Sequence, residues 1–245
     1  MAVFVFDNAK LLVGDLDASG VMNRIELSGE ADVLDGTTFN GALTRTRISG
    51  LLSAGLEGTG FVDLADGDDS PDARLFAAMG VNTSQVLVSP DGLAVDQIVF
   101  FMPVVEAAYS PGASVGELLG FTVRAQSRGE LVRGQILVSP DAMIAATGQS
   151  AAKQLGAVAA GKRMYAAVHL LEVDTFTSLD VKVQSDNAVG FPSATDRITF
   201  AQFTAIGAQL SSVLAGAGGI TDDWWRIDYT LVGTGARFCV ALGIK

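Results

Sequence analysis

The residue types that most often carry catalysis are scarce in this sequence. It contains one histidine and one cysteine, so a Ser-His-Asp or Cys-His device would depend on a single imidazole. His169 lies in the segment YAAVHLLEV, which is typical of a strand and predicts a packed or surface histidine rather than a catalytic base. Cys239 lies beside the alternating apolar residues Phe238, Val240 and Leu242, which predict a buried structural thiol. The two side chains are too few ligands for structural zinc, and one cysteine excludes an internal disulfide.

Two segments match ligand-binding motifs only in part. GAVAAGKR (156–163) approaches a phosphate-binding loop, but Arg163 stands where a Ser or Thr would hold magnesium, so we interpret it as a turn before a strand. DLADGDDSPD (63–72) is the densest carboxylate cluster, but it lacks the Asp spacing and the distal Glu of an EF-hand. We interpret it as a solvated loop that caps a helix, with a calcium site as the alternative. The sequence predicts no catalytic residue, no cofactor and no metal ligand, and an enzyme that uses paired carboxylates alone is the remaining enzymatic alternative.

Two adjacent tryptophans form the other chemically distinctive feature. Trp224 and Trp225 lie in DWWRIDYTLVG, a segment with strand character. Adjacent side chains of a strand point to opposite faces, so one indole is predicted to be in the core. The other is a candidate exposed aromatic contact, either a platform on which a sugar stacks or an anchor between subunits.

Composition indicates a folded, acidic protein. Its 245 residues, 49% apolar and 18% charged, suffice for one large or two ordinary domains. The net charge of −11 belongs to residues 1–145, which hold 19 acids and 8 bases, whereas residues 146–245 hold eight of each. Without clustered cations, tight nucleic-acid binding is not expected. The charge-free run 198–221 predicts strands with a turn rather than a membrane span, and the N-terminal segment lacks the basic start of a secretory signal.

The dominant hydrophobic period is two, which predicts an all-β protein. The predicted strands are 23–29, 97–105, 120–127, 131–138, 163–173, 177–185, 196–206, 223–233 and 236–244. One helix is predicted over residues 70–80, with Ser70 as its N-cap, Pro71 at its first position and Gly80 at its end. The Ala/Gly/Ser-rich segment 139–163 predicts a linker, and thus two domains, 1–145 and 146–245.

A Gly- and Thr-rich stretch carries a family resemblance instead of chemistry. Residues 25–64, IELSGEADVLDGTTFNGALTRTRISGLLSAGLEGTGFVDL, resemble the signature of major tail tube proteins of long-tailed, siphovirus-like bacteriophages. The matching elements are Glu30 to Asp32, Thr37-Thr38-Phe39, Arg45 and Arg47, Gly50-Leu51, and Gly60-Phe61-Val62-Asp63. The short helix and residues 109–134 also fit, so the resemblance covers roughly residues 20–140. Asn40 and Ser49 depart from it, because glycine and proline are usual there.

The resemblance implies a fold for each part of the chain. Residues 1–145 are expected to form a tail-tube-type β-sandwich or barrel domain with one short α-helix. Residues 146–245, which are more loosely similar to domains appended to phage structural proteins, are expected to form a second, decoration-like β-sandwich.

The resemblance also implies a virion protein that is made in the bacterial cytoplasm and is not an enzyme. Copies would form hexameric rings that stack into a tail tube for DNA passage, with the terminator, tape measure and distal tail proteins as partners. The expected intersubunit residues are Thr37, Thr38, Phe39, Arg45, Arg47, Gly50 and Leu51. They would lie in a loop around the two arginines, with the next strand beginning at Ala54. An acidic first part would suit a lumen that does not bind DNA. The alternative is a capsid or tail decoration, or a glycan- or receptor-binding virion module.

Overall fold

The computed structural model describes residues 8–37, 45–63, 67, 70–82 and 84–245. Throughout this part the chain is mostly β-strand, with one helix and antiparallel pairing between its strands. The predicted all-β class with a single short helix is therefore confirmed. Contacts divide the chain into two compact units. Unit 1 comprises Met1–Gly20, Ser84–Met102 and Val132–Lys245, and unit 2 comprises Val21–Thr83 and Pro103–Leu131.

These units differ from the predicted division at residues 145 and 146. β8 (Val132–Val138) pairs with β14 (Trp224–Ile244), so residues on both sides of the predicted boundary share one sheet. The segment predicted as a linker contains β9 (Gly148–Gln149) and β10 (Lys153–Gln154), which pair with β14. Each of these two strands pairs with β14 over two residues only, and the rest of the segment connects them. A composition rich in Ala, Gly and Ser suits such connections.

Unit 1 is organised around two very long strands, β11 (Arg163–Asp186) and β14. Besides β8, β9 and β10, its shorter strands are β1 (Lys10–Val13), β2 (Leu16–Asp17), β5 (Gln85–Ser89), the start of β6 (Ile98–Gly112), β12 (Thr195–Thr199) and β13 (Gly207–Leu214). β11 pairs with β14 from Met164 opposite Ile244 to Asp186 opposite Trp224. β11 therefore joins the predicted strands 163–173 and 177–185, and β14 joins the predicted strands 223–233 and 236–244. The predicted strand 196–206 ends at Thr199 instead, and β13 lies within the run 198–221, for which strands with a turn were predicted without bounds.

The β11–β14 ribbon is irregular at its middle, where the sequence predicted gaps between strands. β-bulges follow Leu170 and Phe176, and such bulges bend a strand. At Gly233 the backbone φ is +154°, and a Cβ atom there would lie 2.7 Å from the carbonyl oxygen of Thr175. Only glycine fits at this point, and the two halves of the ribbon contribute to one hydrophobic cluster.

Hydrophobic clusters lie on both faces of the first half of β11 and the last half of β14. One cluster contains Val168 and Val240, and the other contains Ala167, Cys239 and Ala241. Burial on both faces explains why these segments are apolar at nearly every position. Cys239 is fully buried, as predicted for a structural thiol, and burial raises the pKa of its thiol.

Unit 2 is a four-stranded antiparallel sheet with one helix. In spatial order its strands are β3 (Met22–Asp35), β4 (Arg47–Phe61), β7 (Gly120–Ser127) and the remainder of β6. The helix α1 (Pro71–Ala78) begins after Ser70, whose Oγ accepts a hydrogen bond from the backbone N–H of Ala73 at 3.3 Å. Leu75 is its buried residue. The predicted N-cap and helix are confirmed.

Candidate interaction surface

The β3–β4 hairpin extends beyond the sheet that supports it. β7 pairs with β4 only from Gly55 to Phe61. Residues 29–35 and 47–53 therefore form a two-stranded ribbon, which we call the hairpin arm. Its strands remain paired as far as Asp35 opposite Arg47. The strand thus begins seven residues before the predicted start at Ala54, and the expected loop around the arginines is shorter than the sequence suggested.

The hairpin arm exposes a concentration of large apolar side chains. They are Val33, Leu34, Ile48, Leu51 and Leu52, each more than half exposed, with Leu51 reaching 80%. A two-stranded ribbon alone is marginally stable in water, and clustered exposed apolar groups mark contact surfaces. The arm therefore has the composition of a segment that another surface covers.

Local interactions hold the arm in shape. The backbone N–H and the hydroxyl of Thr37 donate to Oδ1 of Asp35 at 2.9 and 2.5 Å, and these bonds lower the pKa of Asp35. The N–H of Thr46 donates to the Thr37 hydroxyl at 3.1 Å, which ties the two strands together at the distal end. At Gly50, beside a bulge, a Cβ atom would lie 2.8 Å from the Cβ of Asp32, so the close strand approach requires glycine.

The predicted intersubunit residues that the structure describes lie along the outer half of the hairpin arm and just beyond its last strand pair, Asp35 and Arg47. Arg45 and Arg47 are exposed, and Leu51 is the most exposed large apolar residue of the arm. Thr37 and Gly50 have the structural roles given above. Thr38 and Phe39 lie outside the described residues. Whether these residues contact another subunit stays a prediction.

A second apolar surface lies at the opposite end of the same sheet, and the sequence analysis did not identify it. It consists of Phe61, Val115, Leu118 and Leu119, which we call the end patch. Phe61 ends β4 opposite Gly120, and the N–H of Val62 donates to the carbonyl of Leu119 at 2.9 Å. The side chain of Val115 is fully exposed and that of Leu118 is 76% exposed. The sequence did contain a signal for the end patch, because its apolar residues lie at a hairpin connection, where residues are usually polar.

The outer face of the unit 2 sheet is charged. Arg24 pairs with Glu26, and Arg124 lies 3.2 Å from Glu57. A shallow cleft of about 100 Å³ between these side chains is smaller than ligand pockets, which usually hold about 300–1,000 Å³. Unit 2 carries thirteen acids and six bases, so most of the net negative charge of the chain belongs to it.

Both units contain buried ionisable side chains, and two of them have pKa values that fall within the range of a melting experiment. Glu106 in unit 2 is 3% exposed, its Oε1 has no hydrogen-bond partner among the described residues, and burial raises its pKa to about 7. His169 in unit 1 is fully buried with Nδ1 2.6 Å from the carbonyl oxygen of Gly14, and burial lowers its pKa to about 4. The described contacts of His169 are structural, in agreement with a packed histidine.

We expect the two units to respond to pH in opposite directions. For His169 the folded pKa lies below the ordinary 6.5, so unit 1 loses stability as pH falls from about 6.5 to about 4. For Glu106 the folded pKa lies above the ordinary 4.5, so unit 2 loses stability as pH rises from about 4.5 to about 7. Thermal melting between pH 4 and 7.5 measures both. The melting temperature of Glu106→Gln, compared with that of the parent at the same pH, should improve as pH rises. The melting temperature of His169→Gln, compared in the same way, should improve as pH falls. Glu117→Gln, at an exposed residue of unit 2, is the control, and parallel curves for all variants would contradict the assignment.

The structure separates the two tryptophans. Trp225 is fully buried, and its Nε1 donates to the carbonyl oxygen of Gly156 at 2.9 Å. Trp224 is partly exposed. Of the two candidate exposed contacts, only Trp224 therefore remains, because the pairing of β11 with β14 turns Trp225 into the core.

The described residues contain no group of three His, Cys, Asp or Glu side chains that could hold a metal ion. Half of the acidic segment 63–72, including three of its five aspartates, lies outside them. Within the same ranges, no helix has the length and apolar character of a membrane span.

Comparison with known proteins gives structural likeness only. No family model matches the chain, and no curated protein matches it. A chain from the tail of a gene transfer agent particle with C6 symmetry is 19% identical, with a TM-score of 0.39, covering 49% of this chain and 92% of its own. A chain from the baseplate of the anti-feeding prophage is 12% identical, with a TM-score of 0.42 and coverages of 54% and 97%. The Dit protein of phage SPP1 is 11% identical, with a TM-score of 0.37 and coverages of 97% and 99%. The similar structures thus come from tail and baseplate assemblies, but at these TM-scores the likeness carries no argument about function.

Proposed function

We propose that this chain is a structural protein of a phage tail, whose copies associate into rings that stack into a tube. The observation that carries the proposal is the hairpin arm, a paired ribbon with five large exposed apolar side chains. The sequence resemblance to tail tube proteins falls on the same segment. That resemblance is also the basis for three further parts of the proposal: six subunits per ring, the passage of DNA and the partner proteins.

Two exposed apolar surfaces at opposite ends of one sheet support head-to-tail contact. The hairpin arm lies at the Arg47 end of β4, and the end patch lies at its Phe61 end. Leu51 and Phe61 are ten residues apart, which corresponds to about 33 Å at the usual rise of a strand. When the arm of one copy meets the end patch of the next, both surfaces remain available at the ends of the pair. Such heterologous contacts continue indefinitely, as stacking into a tube requires.

The charged outer face of the unit 2 sheet fits the lining of a tube. On this face Arg24 and Arg124 pair with Glu26 and Glu57, so the named charges cancel, and acids exceed bases in unit 2 as a whole by thirteen to six. A lining without an excess of cations, in a unit of net negative charge, lets DNA pass without binding. The assignment of this face to the lumen rests on the proposed tube.

Electron microscopy of the purified chain is the direct test. Two-dimensional class averages are expected to show rings and stacked tubes, with sixfold end views. Sedimentation velocity across protein and salt concentrations gives the populations. A monomer that persists at high concentration in every salt would refute the proposal.

A charge-reversed arm is expected to assemble poorly. In Arg45→Glu/Arg47→Glu, two exposed cations become anions on an already acidic unit, so stacked copies repel each other. The defect should weaken as salt rises, since exposed charges are screened within about 8–10 Å at 0.1–0.15 M. Tube length by electron microscopy measures it, and Lys162→Glu, at an exposed residue of unit 1, is a single-site control for charge reversal. Tubes of parent length at low salt would show that the two arginines do not contribute to the contact.

A further inference from the structure

We propose that unit 1 carries a binding site for an uncharged carbohydrate, on the outer face of the sheet that contains β12, β11, β14 and β9. The opposite face of this sheet packs into the core through residues such as Val183 and Ile227. Its outward side chains are polar, and we call them the polar face. They are Gln149, Asp180, Lys182, Gln184, Asp196, Arg226 and Asp228, which are neighbours in the register of the sheet.

Hydrogen bonds fix the polar face before any ligand binds. Nε of Arg226 donates to Oε1 of Gln184 at 2.8 Å, and Nε2 of Gln184 donates to Oδ1 of Asp196 at 2.7 Å. Nζ of Lys182 donates to the other Asp196 oxygen at 2.8 Å. The chain of contacts crosses three strands. Side chains held in this way lose little conformational entropy on binding.

The polar face has no excess of cations. The hydrogen bond from Lys182 lowers the pKa of Asp196, and the same bond raises the pKa of Lys182, so both are ionised at neutral pH. The face then has two cations, three carboxylates and two amides. A polyanion needs a net positive surface, whereas an uncharged ligand with many hydroxyl groups does not.

An aromatic border adjoins the polar face. Trp224 precedes the buried Trp225, points to the outer face and is partly exposed. Two residues further along β14, the guanidinium of Arg226 lies 4.2 Å from the centre of the Phe191 ring. This cation–π contact helps to fix the position of the guanidinium.

The loop that supplies Phe191 is held against the end of β11. Oδ1 of the buried Asp186 accepts from the N–H of Ala188 at 3.1 Å, and its Oδ2 accepts from the N–H of Ser193 at 2.7 Å. Phe191 itself has a φ of +51°, which is costly for a residue with a side chain. Surrounding structure must maintain such strain, and strain of this kind occurs often at ligand sites. The loop is therefore fixed in place beside Arg226.

These groups match the two surfaces of a sugar. A sugar ring has an apolar C–H face, which packs on a flat indole, and an edge of hydroxyls that both donate and accept. Planar amide, carboxylate and guanidinium groups can each make two hydrogen bonds to neighbouring hydroxyls. A protein partner would be expected to meet more apolar area than one indole at the centre of its contact.

Titration of the full chain tests the site. The probes are dextran, a galactan and N-acetylglucosamine oligomers, with polyglycerol phosphate as a charged polymer, followed by calorimetry and indole fluorescence. At least one neutral probe is expected to bind and to change the emission. Trp224→Ala and Gln184→Ala should each weaken binding about tenfold or more, which corresponds to about 1.4 kcal/mol. Phe76→Ala, an exposed aromatic residue of unit 2, is the matched control and should bind as the parent does.

Three results would overturn the proposal. They are no binding of any neutral probe at millimolar concentration, binding of polyglycerol phosphate alone, or parent affinity in both polar-face variants. Melting curves of both variants verify folding, and Gln184→Ala decides the test if Trp224→Ala is destabilised. Tube formation by the same variants is expected to be normal, so failure of the site and failure of the proposed assembly are distinguishable.

Discussion

Leu51→Asp is expected to abolish tube formation while leaving the subunit folded. Leu51 is 80% exposed in the subunit, so the exchange should change the free energy of unfolding by only about 0.5 kcal/mol. In a stacked tube, the aspartate would be buried against an apolar surface without a partner, which costs several kcal/mol in practice. Because every contact between stacked copies would lose this free energy, the tube would not grow. Sedimentation velocity and electron microscopy measure the distribution between subunits, rings and tubes, and melting verifies the fold.

Salt and a matched variant separate this effect from that of the arginines. Burial of a charge in an apolar contact is not relieved by screening, so Leu51→Asp should remain defective at high salt, where the arginine variant recovers. Leu214→Asp in unit 1 places the same charge on a leucine that is 51% exposed and should leave tubes normal. Tubes of parent length from Leu51→Asp would exclude the hairpin arm from the contact.

The helix shows where local sequence is sufficient. Ser70, Pro71 and Asp72 each act within one turn, so their preferences alone place the helix start. The hairpin arm shows the opposite case. Its strand from Arg47 to Ser53 depends on pairing with β3, and its glycines weaken the local strand signal. Propensity alone therefore placed the strand start too late.

Long-range pairing also decides the division of the chain. Residues 21–83 and 103–131 form one unit although nineteen residues of the other unit interrupt them in sequence. Composition and charge vary along the chain and can reveal only contiguous blocks. The strands β11 and β14 are similarly interrupted by bulges that resemble strand ends in sequence, while their continuous register fixes them as single elements. The end patch required the same information, since it joins Phe61 to a connection more than fifty residues later.

Trp225→Ala is expected to destabilise the protein by about 3–5 kcal/mol, whereas Trp224→Ala should cost no more than about 1 kcal/mol. The sequence could not distinguish these neighbours, because alternation predicts opposite faces without saying which face is buried. The structure distinguishes them: Trp225 is fully buried, and its loss creates a cavity and leaves the carbonyl of Gly156 without its indole donor. Urea unfolding followed by circular dichroism measures both variants, and Trp225→Phe, which keeps most of the packing but not the hydrogen bond, should be intermediate. Equal losses for Trp224→Ala and Trp225→Ala would contradict the assigned faces of β14, and with them the outward position of Trp224 that the carbohydrate site requires.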